Sequence, residues 1–434
     1  MQTPRLVAPL ALITALLASC NQTVTLTTEQ QVQAAVTTTG VVNAKTTTLT
    51  DGSVYLTGTL KGNAFAARFP AKWNGQSVLS AHGYVYPGTA ERTPDLSDTV
   101  LASTTPGNEP SLGLFPTALS QGYAIANTAY AKTGYAVKEG VAANKQLHDF
   151  MKAAGSKSQY MTGISMGGNI TVALVEQYPQ DFVGAMPYCG VVAGWRAEER
   201  YLLDFRVVYD YFTKGTVYAL PGNGDAVTVN PALTLPVVQQ SVVGLFTKAA
   251  QGDLAAKAII GQVSAVVGAP ADPISYITAL GSTVYGLQDY LTTTGGTGYS
   301  NKDKVYAGSQ NDVALNAGVQ RISASAESSA YLDANYTPTG NFKAKMLSFH
   351  NLVDPLVPYS FEPEFKAIVS KAGNSANLVQ QVVDANPVNA ADPSKGGPTH
   401  CYFTPKQVSY AWNELRAWVD NGVKPAEGEN ITSK

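Results

Sequence analysis

Gly163-Ile164-Ser165-Met166-Gly167-Gly168 is the stretch on which the fold turns. Residues 159–163 read as a short strand, and residues 169–178 read as a helix stopped at Pro179. A serine flanked by glycines two positions away on each side, between a strand and a helix, forms a sharp elbow. The glycines remove side chains that would clash in so tight a turn. The elbow carries the Ser165 hydroxyl to the carboxyl end of a sheet, where the positive end of the next helix points at the same spot. The plainer alternative is a Gly-rich turn with an inert Ser.

Outward from the elbow, the pattern alternates. Upstream, residues 53–60 and 63–69 read as a hairpin joined by Lys61-Gly62. Residues 77–81 form a short apolar strand running into His82-Gly83-Tyr84, and residues 123–128 form another. Residues 136–154 have helical spacing, with Val137, Val141, Leu147, Phe150 and Met151 on the face expected to be buried. Downstream, residues 182–188 are the next strand. Strands alternating with helices predict a mostly parallel sheet covered on both faces. From about Trp195 to Ala330 the alternation breaks into helix-like segments, with 237–250 and 254–267 amphipathic, and this stretch reads as an inserted helical cap. The sheet pattern then resumes with strand 345–350, helix 362–372, strand 377–383 and a closing helix at 405–421.

An alcohol is a poor nucleophile at neutral pH, so Ser165 needs a base, and the base needs an orienting group. The chain has four histidines. His82 precedes the elbow, His148 falls within a helix, and His350 ends a strand, where a structural role fits best. His400 follows the last strand and precedes the last helix. Among carboxylates, Asp354 lies in His350-Asn351-Leu352-Val353-Asp354-Pro355-Leu356-Val357-Pro358, stiffened by its prolines. Asp384 and Asp392 are the runners-up.

Together these residues resemble the α/β-hydrolase superfamily over about residues 76–194 and 340–422. The resemblance implies an α/β-hydrolase fold with the chain order nucleophile, acid, histidine. It therefore implies Ser165 as nucleophile, Asp354 as acid in a D-x-x-V-P segment, and His400 as base. His82-Gly83-Tyr84 matches the H-G-x pattern that the superfamily uses for its oxyanion hole. The implied backbone donors are those of Tyr84 and Met166. The domain reading is a core over 51–194 and 331–434, with the cap over 195–330. Some tannase and feruloyl esterase relatives tether the catalytic His through an adjacent Cys whose partner directly precedes the nucleophile. Here that position is Ile164.

The N-terminus reads as an export signal. Arg5 precedes an apolar run over 6–17, too short to span a bilayer as a mature helix. It ends in Leu17-Ala18-Ser19-Cys20, which resembles the bacterial lipoprotein signal. That resemblance implies removal of residues 1–19, lipid on Cys20 and a location in the cell envelope; an ordinary cleaved signal is the alternative. Residues 20–50, rich in Thr, Gln and Ala and free of aromatics, read as a flexible tether. Export into an oxidising compartment favours pairing the other two cysteines, Cys189 and Cys401, in a disulfide, with two free buried thiols as the alternative.

The net charge of −2, with 14% charged residues and no basic run, argues against nucleic acid as a partner. No CxxC or Cys/His cluster suggests zinc, and no cofactor is implied. The reading is a serine hydrolase acting on a small-molecule ester. A peptidase of the prolyl-oligopeptidase branch and a catalytically silent surface-binding protein are the alternatives.

Overall fold

The computed structural model describes residues 26–102, 112–386 and 397–434. The expected signal peptide and Cys20 lie outside the described residues. Nine strands form one sheet: β1 (Val42–Thr48), β2 (Val54–Leu60), β3 (Asn63–Phe69), β4 (Gln76–Ala81), β5 (Ala124–Thr128), β6 (Ser158–Ile164), β7 (Gly184–Tyr188), β8 (Lys345–Asn351) and β9 (Leu378–Val383). Their order is β1-β2-β3-β5-β4-β6-β7-β8-β9. The first three strands and β5 pair antiparallel, and every pairing from β5 to β9 is parallel. The swap of β4 and β5 in the order, the parallel run and the strand-elbow-helix at Ser165 define an α/β-hydrolase fold.

Side-chain alternation explains why the sheet is buried on both faces. Leu79, Ala124, Ala126, Met161 and Met346 point into one apolar cluster. Their neighbours Val78, Ile125, Tyr160 and Leu347 point into the other. The helices Val137–Ala153 and Met166–Gln177 pack on the first face, and the closing helix Pro405–Asn421 packs its Trp412 and Leu415 on the second. The hairpin reading holds: Leu60 pairs with Asn63 across Lys61 and Gly62, both at positive φ (50° and 95°). Such a turn matches the twist of the strands it joins.

The flexible tether expected over 20–50 is corrected from residue 26 onward. A helix, Thr28–Thr39, starts at a reciprocal cap between Thr27 and Gln30 and stops at Gly40 in the left-handed region. Val32, Ala35 and Val36 recur at helical spacing, and they bury against the sheet side of the molecule beside the helix Val137–Ala153. The chain then adds β1 to the edge of the hairpin. A scarcity of aromatics does not prevent docking when three small apolar groups share one face.

Between β7 and β8 the chain runs through seven helices: Trp195–Thr213, Leu235–Ala250, Leu254–Val267, Pro273–Tyr285, Leu287–Thr294, Asp312–Gly318 and Ala326–Asn335. The last crosses the expected boundary at 330/331, so the helical segment extends to Asn335.

Candidate active site

The elbow begins with close backbone packing. A Cβ at Gly163 would lie 2.1 Å from the Gly167 carbonyl oxygen, and one at Gly167 would lie 2.1 Å from the Ala81 oxygen. Any side chain at either position would force the turn open. Ser165 sits at φ 57°, ψ −123°, a conformation that L residues rarely adopt. It is held there by its own carbonyl, which accepts from Gly168 and Val191 amides. The helix Met166–Gln177 starts directly after it, earlier than the predicted residue 169.

Asp354 and His400 meet across the ends of β8 and β9. The His400 Nδ1 lies 3.0 and 2.8 Å from the two Asp354 carboxylate oxygens. Asp354 also accepts from the amides of Leu356 (2.9 Å), Val357 (3.0 Å) and Cys401 (3.1 Å). Burial alone would raise the pKa of this carboxyl. The imidazole and the amides outweigh it and hold the group below the usual carboxylate value. Donation from Nδ1 leaves Nε2 as the atom able to take a proton. The runner-up Asp384 sits exposed after β9, bonded to Asn430 and Thr432. Asp392 lies outside the described residues.

Ser165 and His400 line the same cavity, of about 580 Å³. Among the described residues the Ser165 hydroxyl has no hydrogen-bond partner, and His400 Nε2 lies 3.2 Å from Cys401 Sγ. Catalytic pairs that are open in the free protein commonly tighten when substrate binds. Gly83 backs directly onto the serine: a Cβ there would lie 3.1 Å from Ser165 Cβ. Tyr84 and Met166 line the cavity too. Neither of their amides has a hydrogen-bond partner among the described residues. Two free amides flanking the serine are what a developing oxyanion needs.

The Cys189–Cys401 disulfide is formed, with the Cα atoms 5.3 Å apart. It joins the end of β7 to the residue after His400. Both cysteines have positive φ, 42° and 59°. With Ser165 they make three strained residues in one neighbourhood, a concentration typical of functional sites. The remaining histidines do other work. His82 stacks on Tyr130 at 3.7 Å and pairs with Glu91 at 3.2 Å. His148 bridges Asp149 and the Asp181 carbonyl. His350 is buried behind the site, its basicity lowered by that burial, with Nδ1 on the Asn351 carbonyl.

Two clusters have metal-ligand side chains among the described residues. In Cys189, His400 and Cys401 the sulfurs are already joined to each other. In His148, Asp149 and Asp181 the Lys145 ammonium sits against both carboxylates, at 2.5 and 3.3 Å. Neither set is free to hold a cation.

Sequence reading missed two residues. Asn351 is fully buried, and its side-chain amide clamps the His400 loop by donating to the Tyr402 carbonyl (2.8 Å) and accepting from the Tyr402 amide (3.0 Å). Its position directly after His350 in a quoted segment was the one available signal. The other is Glu198, on the first cap helix. Trp195, Glu198, Glu199 and Leu202, at spacings of three and four, lay one stripe of that helix along the cavity.

No protein-family model matches the chain, and no curated protein is similar to it in sequence. Solved structures with a similar course include feruloyl esterase B from Aspergillus oryzae, with 14% identity, 86% of this chain and 81% of that one covered, and a TM-score of 0.42. Candida antarctica lipase A matches with 14% identity over 89% of this chain and 83% of that one, at a TM-score of 0.42. Tannin acyl hydrolase from Aspergillus niger matches with 13% identity over 90% and 85%, at 0.43. The fold class rests on the strand order and the elbow rather than on these likenesses.

Proposed function

We propose that the chain is a serine hydrolase that cleaves carboxylic esters through an acyl-enzyme. The observation that carries the reading is the buried Asp354 carboxylate, met by three amides and the His400 Nδ1, holding that imidazole on the wall of the cavity that Ser165 also lines from its strained turn. On substrate entry His400 Nε2 takes the proton from Ser165 Oγ, which attacks the ester carbonyl. The amides of Tyr84 and Met166 stabilise the negative oxygen, each worth on the order of 3 kcal/mol. His400 returns its proton to the leaving alcohol. Water then attacks the acyl group, giving its proton to the same nitrogen and releasing the acid. Asp354 keeps the imidazole oriented and stabilises it when charged.

A fluorophosphonate probe tests the reading. It should label the wild-type chain on Ser165, and Ser165→Ala should lose both the label and, by about six powers of ten, hydrolysis of short 4-nitrophenyl esters. A wild-type chain that neither labels nor hydrolyses any ester would sink the proposal.

We also propose export with lipid on Cys20, supported by the apolar run, the small residues before that cysteine and a disulfide that suits an oxidising compartment. Cys20→Ser expressed in a bacterial host should move the protein from the membrane fraction to the soluble one; unchanged membrane fractionation would refute the anchor.

A further inference from the structure

Glu198 and Glu199 are adjacent on the first cap helix, both buried and both on the cavity wall. Their surroundings differ. Glu199 accepts from the Tyr290 and Thr297 hydroxyls, each at 2.5 Å, so both of its oxygens are occupied. Glu198 is 3% exposed, and its Oε2 is buried with no hydrogen-bond partner among the described residues. A polar atom so placed on a protein's own core would be a defect; on a cavity wall it can be completed by whatever enters.

A second atom in the same cavity shares this condition. The Tyr84 hydroxyl is buried without a partner, its ring stacked at 6.5 Å on Trp195, one turn before Glu198 on the same helix face. Burial, reinforced by the charge of Asp354, keeps the Glu198 carboxyl protonated well above the usual range. Burial likewise keeps the Tyr84 phenol protonated. Both groups therefore offer an O–H. The rest of the wall is largely apolar or aromatic, including Leu202, Leu356, Tyr86 and Tyr285.

We propose that Glu198, assisted by the Tyr84 hydroxyl, forms a polar subsite that selects esters bearing a second oxygen acceptor: a hydroxyl, ether or carbonyl besides the one being cleaved. The inference rests on the ester-hydrolase reading above and deepens it. A plain alkyl ester leaves Glu198 without a partner when the cavity is filled, whereas an oxygenated one completes it. Sites built to bond a substrate oxygen reject the analogue that lacks it, because their own buried groups are then stranded.

The test is a panel of matched ester pairs in which one CH₂ of the acyl or alcohol part is replaced by oxygen, position by position. Hydrolysis is followed by pH-stat, and each ester is corrected for its rate of alkaline hydrolysis. At the position that reaches the subsite, wild-type kcat/KM should favour the oxygenated member at least tenfold, about 1.4 kcal/mol. Glu198→Leu should bring that ratio within about threefold of unity, and Glu198→Gln, which keeps a donor, should retain most of it. Thermal unfolding checks that both variants fold, and Glu198→Met, closer to glutamate in shape and likewise without a donor, takes the place of the leucine variant if that one does not, with the same expected fall. A wild-type ratio near unity at every position overturns the subsite, as does a ratio that neither substitution alters, or an equal fall in kcat for all esters. Fluorophosphonate labelling separates the two readings: labelling with flat ratios overturns the subsite alone, while no labelling and no hydrolysis overturn both.

Discussion

Two buried carboxyls reach the neighbourhood of His400 from different halves of the molecule, and they are held in opposite states. Asp354 comes from the sheet half, in the loop after β8. Three amides and an imidazole converge on it, and it is held in the charged form despite complete burial. Glu198 comes from the cap. No donor meets its buried oxygen, and burial keeps it neutral. The two are close enough for the charge on one to raise the other. A carboxylate whose donors are supplied by backbone and by a fixed loop can orient a partner before substrate arrives. A neutral carboxyl left open can respond to what arrives. On the proposed reading the sheet half supplies the reacting groups, and the cap supplies the carboxyl that answers to the substrate.

The largest effect tests the charged member. Asp354→Asn preserves shape but removes the charge and lets the His400 ring take the wrong tautomer. Ester kcat should fall about ten-thousandfold, on the order of 5 kcal/mol in the barrier, with the unfolding midpoint little changed. A fall of less than tenfold would mean that the orienting acid lies elsewhere.

The disulfide comes next, because it fastens the His400 loop to the sheet half rather than to the cap. Cys189 and Cys401 are 212 residues apart, and the whole cap lies between them. Closing so long a loop in the unfolded chain is worth up to about 5 kcal/mol in the chain-entropy view. Cys189→Ala with Cys401→Ala should therefore lower stability by about 3–5 kcal/mol in urea unfolding, and it should slow ester hydrolysis as the His400 loop loosens. Unaltered kinetics in a folded double variant would show that the Asn351 clamp suffices.

A third buried carboxyl sharpens the contrast. Glu362, packed against the middle of β8 and β9, is shifted towards the neutral form like Glu198 yet satisfied like Asp354, with Ser348 and Gln380 donating to it at 2.6 Å. Burial pushes it up to about 7, against those two bonds and with a contribution from Glu427. Its folded value lies above its unfolded one, so its stabilising protonation is fully present below about pH 4.5 and is lost as pH rises towards 7. Glu362→Gln should remove that loss. Relative to wild type, the variant should gain about 3 kcal/mol between pH 4.5 and pH 7.5, read from urea unfolding at the two pH values. A constant difference between the two proteins would show that Glu362 does not titrate in this range.

The same division explains what the sequence made legible. The elbow, the hairpin turn and the D-x-x-V-P segment are local: each depends on a few consecutive residues whose backbone geometry dictates their identity. Ser165, Asp354 and His400 are the candidates that chain order in this fold type points to. Glu198 and Asn351 could not, since a glutamate on an amphipathic helix and an asparagine ending a strand look ordinary until distant segments close around them. The N-terminal segment was misread for a related reason. Its small apolar residues carry little signal singly, and most of the surface that buries them belongs to the helix Val137–Ala153, far along the chain.

That misreading yields the smallest effect and shows how far the sheet half extends. Val32 is fully buried on the helix Thr28–Thr39, beside the helix Val137–Ala153. Val32→Ala removes two methyl groups' worth of apolar contact and leaves a small void, a loss of about 2 kcal/mol. A flexible tether would show no loss. Because this helix packs against the helix that also carries Ile170's neighbour Gly140, on the face below the elbow rather than under the cap, ester kinetics should stay unchanged while the urea midpoint falls. A stability loss with intact kinetics would assign residues 26–50 to the scaffold of the sheet half; no loss of stability would return them to the role of a tether.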